Sequence, residues 1–114
     1  MIYLAAPYSH PDRAVVEHRM ELFRQVSNHL NEGGLYCTSP LYNHFLGMSG
    51  TWEVWKAYST LQLRSCAALW VLKLAGWEES VGLAAEIALA QELGLPITYR
   101  TVEEAMSVWS MPKD

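Results

Sequence analysis

The 114 residues are 51% hydrophobic and 18% charged, with net charge −4 and a pI near 5.5, which fits one domain with a filled core and excludes a disordered chain. Eight Lys and Arg scattered from Arg13 to Lys113 form no basic patch, so nucleic-acid backbone binding is disfavoured. Two cysteines, Cys37 and Cys66, make neither a disulfide framework nor a Cys-x-x-Cys pair, which suits a reducing cytoplasm, and no apolar run approaches the roughly 18 residues of a membrane span.

Residues 1–6 are a short apolar run stopped by Pro7, the pattern of a buried strand. The same stretch lacks the basic and long apolar regions of a signal peptide. Over 11–32, Val16, Met20, Phe23, Val26 or Ser27, and Leu30 repeat at helical spacing, with Pro11 suited to the first turn and Gly33–Gly34 to the stop. Residues 35–38 read as a second strand and 39–50, rich in Gly, Ser and Asn, as a loop. Thr51 suits the N-cap of a helix running to about Cys66. The run ALWVLKL at 68–74 is the strongest strand, followed by a turn at 75–79. A helix from Ser80 to Leu93 is closed by Gly94, and 95–99 form the last strand. Thr101 with Glu104 makes a capping box for a short helix to about Trp109.

Strands alternating with helices predict βαβ units and a parallel sheet with helices on both faces. The expected fold is α/β, a flavodoxin-like three-layer sandwich of strand order 2-1-3-4, formed by residues 1–114 as a single domain. Ligands in such sheets sit at the carboxyl ends of the strands, near the switch between strands 1 and 3. The loops at 5–13 and 75–86 therefore carry the candidate site.

Several chemistries are excluded. Asp occurs only at Asp12 and Asp114, so an aspartyl phospho-acceptor with an acidic magnesium pocket is ruled out. There is no P-loop and no Gly-x-Gly-x-x-Gly. His10, His18, His29 and His44 lack metal-ligand spacing, so no metal is expected. His18 and His29 read as a solvated helix face, whereas His44, in the loop after the second strand, is a candidate pocket residue.

Glu86 stands out. It is the one charge in LAAEIALA (83–90), and Gln91 and Glu92 point roughly 120–140° away from it at about 100° per residue. Ala90 and Leu93 share its face. It reads either as a surface carboxylate on a short helix or as a carboxylate aimed into the cleft. The second case requires a functional reason, because an unpaired buried carboxylate is costly. Such a group serves as a nucleophile at an anomeric carbon or as a general base. Ser80 and Gly82 stand at the start of this helix and Ser9 before another, where free N–H groups favour an anion. Ser80 reads equally as a plain N-cap. Arg13 is a further candidate for anion charge, or a solvent-facing residue.

IYLAAPYS at 2–9, LWVLKLAGWEES at 69–80 and SVGLAAEIALAQELGLPI at 80–97 together resemble the nucleoside 2-deoxyribosyltransferase family with its nucleotide N-glycosidase branch, most of all its small bacterial and phage members. The resemblance covers most of the chain and is loose over 38–58. It implies a Glu nucleophile four residues after a Gly, which falls on Glu86 after Gly82. It implies a phosphate contact at Ser80, as in the nucleotide-cleaving branch, and a Tyr on the first strand beside the nucleophile, here Tyr3. Ala5, Ala6, Tyr8 and Ser9 match the loop that wraps sugar and phosphate. Two family acids are replaced. The Asp on the helix before strand 3 is Ser59 here, and the Asp that begins strand 3 is Ala67, which leaves the departing base without an obvious proton donor. Glu53 is the one carboxylate of the preceding segment that is a candidate to stand in, and Glu78 and Glu79 are placed to rim the pocket. Trp77 reads as a base-stacking residue or a cap on the core. Trp52 and Trp55 read as core or subunit interface.

The resemblance implies cleavage or exchange of the N-glycosidic bond of a (deoxy)nucleoside or its 5′-monophosphate, with no metal or organic cofactor. The alternatives are a catalytically weak nucleotide-binding protein of the same fold and an unrelated flavodoxin-like interaction domain. A homo-oligomer, most simply a dimer, is expected from five Trp in so short and apolar a chain and from the resemblance.

Overall fold

The computed structural model describes residues 1–39 and 52–107, with the side chains of 52–55 outside that description. In chain order the elements are β1 (Ile2–Ala5), α1 (Arg13–Glu32), β2 (Cys37–Thr38), α2 (Trp52–Arg64), β3 (Ala68–Leu72), a 3-10 turn (Trp77–Glu79), α3 (Val81–Glu92), β4 (Ile97–Arg100) and α4 (Val102–Ser107). The four strands form one parallel sheet of order β2-β1-β3-β4, as the alternation of elements predicts. Ile2 lies opposite both Cys37 and Ala68, and Leu69 opposite Ile97.

Successive side chains of a strand point to opposite faces, and the two central strands divide their apolar residues accordingly. Leu4, Ala6, Leu72 and Leu74 pack with Phe23, Val26 and Leu30 of α1 and Ala105 of α4. Tyr3, Ala5, Leu69 and Val71 pack on the other face with Leu63 of α2 and Leu83 and Ala90 of α3. The sheet is thus the middle layer of a flavodoxin-like sandwich. Among the described residues no helix is long and apolar enough to cross a membrane.

The boundaries differ from the sequence expectation for identifiable reasons. Helix α1 begins at Arg13 because Asp12 is its N-cap, its carboxylate accepting from the Ala14 N–H at 2.9 Å. Pro11 therefore precedes the helix. At the other end Gly34 takes φ +89°, and the N–H of Leu35 returns to the Leu30 carbonyl at 2.9 Å. That bond keeps 35–36 in the helix-closing turn and shortens β2. Helix α3 ends the same way, with Gly94 at φ +72° and Leu95 N–H on the Ala90 carbonyl at 3.0 Å, so β4 starts at Ile97. The capping box forms as expected: Thr101 N–H donates to Glu104 Oε1 at 2.8 Å, and Glu104 N–H to Thr101 Oγ1 at 3.1 Å. Thr51 and Trp109 lie outside the described residues.

Candidate active site

Loops leaving the carboxyl ends of β1, β2 and β3 meet helices α2 and α3 around a cavity of about 750 Å³. Ala6, Tyr8 and Ser9 come from the first loop, Ser39 from the second, and Glu79 and Ser80 from the third. Lys56, Ser59 and Thr60 of α2, with Gly82, Glu86, Leu89 and Glu92 of α3, complete the wall. This is where a doubly wound sheet places its ligand.

Glu86 sits on the second turn of α3, half-buried, one helical turn before the fully buried Ala90. The helix therefore turns it inward rather than to bulk solvent, which decides between the two readings of its position. The phenol of Tyr3 donates a hydrogen bond to Glu86 Oε2. Tyr3 is wholly buried on β1, on the sheet face that packs against α2 and α3. Burial raises the Glu86 carboxyl to a pKa of about 7, and the Tyr3 hydrogen bond opposes that rise. Burial, then the facing Glu86 charge, drive the Tyr3 phenol far above its ordinary value, so it remains a donor. The Ser59 hydroxyl of α2 stands near the phenol and pulls its pKa back. Strand, preceding helix and following helix thus bring Tyr3, Ser59 and Glu86 to one point.

Ser80 has the N-cap role: the Leu83 N–H donates to its Oγ at 3.2 Å. It also lines the cavity, and its hydroxyl proton remains available to a ligand. Gly82 faces open space, with nothing within 4 Å of where a Cβ would stand. Ser9 lines the cavity, yet it does not stand at a helix start, because Asp12 caps α1. An anion site at that helix terminus is thereby removed. Ala5 is core rather than cavity wall, pointing with Tyr3 into the α2–α3 face of the sheet. Trp77 packs against the same core and pairs with Tyr99, ring centroids 5.6 Å apart, so the structure gives it the core-capping place and not a cavity wall. Arg13 is exposed and engaged with Glu17 at 3.1 Å, away from this cavity. Ala67 is exposed ahead of β3, and Glu78 is exposed while its neighbour Glu79 reaches the cavity. His44 lies outside the described residues. Trp52, Glu53 and Trp55 lie on the first turns of α2.

Thr60, Leu89 and Glu92 of the wall escape the sequence reading, and so do three further contributors. Lys56 is the one cation lining the cavity among the described residues, and its spacing of three from Ser59 on a helix is the signal that finds it. Ser39 reaches the wall from the end of β2, where it is buried. Arg19, on the buried stripe of α1, donates from Nη1 to the Ser9 carbonyl at 2.9 Å and from Nη2 to the Ala75 carbonyl at 2.9 Å. No pattern in the chain separates it from an ordinary polar helix residue. Among the described residues no group of three His, Cys, Asp or Glu is arranged to hold a metal ion.

A family model described as Domain of unknown function (DUF1937) matches residues 1–101. No curated protein matches the sequence.

Proposed function

The chain belongs to the DUF1937 family, and we propose that it cleaves or exchanges the N-glycosidic bond of a (deoxy)nucleoside or nucleoside 5′-monophosphate, with Glu86 as nucleophile. The observation that carries this reading is a carboxylate on the cavity wall, half-buried and held by a buried phenol. Tyr3 fixes one carboxylate oxygen and leaves the other for the substrate. The free oxygen attacks the anomeric carbon as the bond to the base breaks, the bonding pair leaving with the base, which takes a proton from solvent. Water or a second base then attacks the same carbon, and Glu86 departs as carboxylate. Burial raises the Glu86 pKa to about 7, so an ionised, nucleophilic form is within reach at neutral pH. Ser80 and Ser9 hydroxyls, with Lys56, suit the polar end of a nucleotide.

One observation favours a second reading, a nucleotide-binding protein with weak catalysis. Beside Tyr3, where the family resemblance implies an acid, stands the Ser59 hydroxyl, which cannot protonate a leaving base at neutral pH. The test is incubation with a panel of nucleosides and their 5′-monophosphates, with free base measured by chromatography and binding by thermal shift. Base release that vanishes in Glu86→Gln supports the first reading. Thermal stabilisation without release supports the second. Release unchanged in Glu86→Gln removes Glu86 from the mechanism.

A further inference from the structure

We propose that Arg19 is a positioning residue for the cavity: its guanidinium sets the distance between the loop carrying Tyr8 and Ser9 and the loop that leads into Ser80. Arg19 is 7% exposed, on the α1 stripe it shares with Phe23, Val26 and Leu30. Among the described residues no carboxylate lies within ion-pair distance of it. A buried guanidinium without a counter-charge is costly, and here main-chain carbonyls from two remote segments take up Nη1 and Nη2, while the buried Nε has no partner among the described residues. Nη1 is 2.9 Å from the Ser9 oxygen and 3.5 Å from that of Tyr8, while Nη2 is 2.9 Å from that of Ala75. The last contact spans 56 residues of sequence. The segments so joined are the two that supply Tyr8 and Ser9, and Glu79 and Ser80, to the cavity.

The planar fork suits this task and an ammonium does not, because two nitrogens at fixed separation hold two backbones at fixed separation. Gly76 carries an independent mark of the same arrangement. A Cβ there would stand 2.7 Å from Arg19 Nη2, and its φ is +83°. The loop thus makes room for the guanidinium where it turns toward Trp77–Glu79 and Ser80. All peptides are trans in the described chain, so each carbonyl turned to Arg19 turns the N–H of the same peptide away. The N–H groups so directed, on Ser9, His10 and Gly76, have no acceptor among the described residues. They are donors held in place by a charge behind them.

The clamp is a matter of geometry, and its consequence for catalysis rests on the glycosidic reading. The experiment separates the two. Backbone ¹⁵N order parameters are measured for wild type, Arg19→Lys and Arg19→Met, with a denaturant transition for each. In the folded Arg19→Lys variant, residues 8–10 and 75–76 are expected to loosen together, from the rigid value of about 0.85 to below about 0.6, while β1, β3 and β4 stay rigid. On whichever monophosphate the wild type cleaves, the variant is expected to raise KM at least tenfold with the acid limb of the pH profile unmoved, since Glu86 and Tyr3 are untouched. Loops that keep wild-type order in Arg19→Lys and Arg19→Met, or loosening of one loop alone, overturn the proposal. A shifted acid limb at unchanged KM overturns its catalytic part. A wild type inactive on the whole panel removes the glycosidic chemistry, and the order parameters still decide the clamp.

Discussion

Replacing Glu86 by Gln is expected to stabilise the protein at alkaline pH. The fold holds this carboxyl in a half-buried place that raises its pKa from 4.5 to about 7. The folded state therefore binds the proton more tightly than the unfolded chain does. For a group shifted in this direction stability falls as pH rises from about 4.5 to about 7, because the unfolded chain releases the proton first and the folded chain must then carry a poorly solvated charge. At about 1.36 kcal/mol per pKa unit the ionised side chain costs the native state about 3 kcal/mol. Glutamine keeps an oxygen to accept from Tyr3 and has no charge to desolvate. Any cost of its amide NH2 is the same at every pH, so the informative quantity is the change in the difference between the two proteins. Urea unfolding at pH 5 and pH 8.5 should show Glu86→Gln gaining about 2–3 kcal/mol on wild type between the two conditions. A difference independent of pH, or a gain in the opposite direction, would refute the burial argument. A substitution that stabilises the fold while removing the proposed nucleophile is the trade expected of a carboxylate kept for function.

Tyr3→Phe removes the donor that favours the ionised carboxylate, so the Glu86 pKa should rise a further unit or two, given about 1.5–3 kcal/mol for a hydrogen bond to a charged group; ¹³C NMR titration of the carboxyl measures it, and an unchanged or lowered value contradicts the pairing. Ser80→Ala should cost about 1 kcal/mol of stability in urea through the lost cap on Leu83 N–H. The same variant should weaken 5′-monophosphate binding about tenfold while sparing the nucleoside, and equal losses for both ligands would reject a phosphate contact there. Tyr58 and Leu61 of α2 and Val81 of α3 are exposed apolar residues, so light scattering at micromolar concentration should give a dimer mass; a monomer mass would leave them as unpartnered surface.

Much of the architecture is legible in the sequence because period-2 and period-3.6 patterns alternate cleanly, and the sheet order follows from crossover rules. The strand limits are less so. At 35–36 and 95–96 apolar residues look like strand, but left-handed glycines at 34 and 94 send the next N–H back into the preceding helix. Glu86 is legible as an isolated charge in an apolar helix. Its partner Tyr3 looks like any strand aromatic until the resemblance singles it out, since the pairing spans 83 residues. Trp77 is ambiguous for a related reason: whether an aromatic caps a core or stacks on a base depends on Tyr99, which arrives from β4. Arg19 is illegible because its partners are carbonyl oxygens, which every residue possesses, so no residue type at positions 8, 9 or 75 announces it.

The alternation of side chains along β1 has a consequence for how this chain tolerates insertion and deletion. Tyr3 reaches Glu86 because it falls on the α2–α3 face of the sheet, while Leu4 falls among the α1 residues. Losing or gaining one residue within β1 would exchange those faces, setting a leucine against the carboxyl and a phenol among Phe23, Val26 and Leu30. The same change in the loop at 6–11 would move backbone without changing that parity. Length variation compatible with the Tyr3–Glu86 pair is therefore confined to the loops, and within β1 only steps of two residues preserve the face on which position 3 stands.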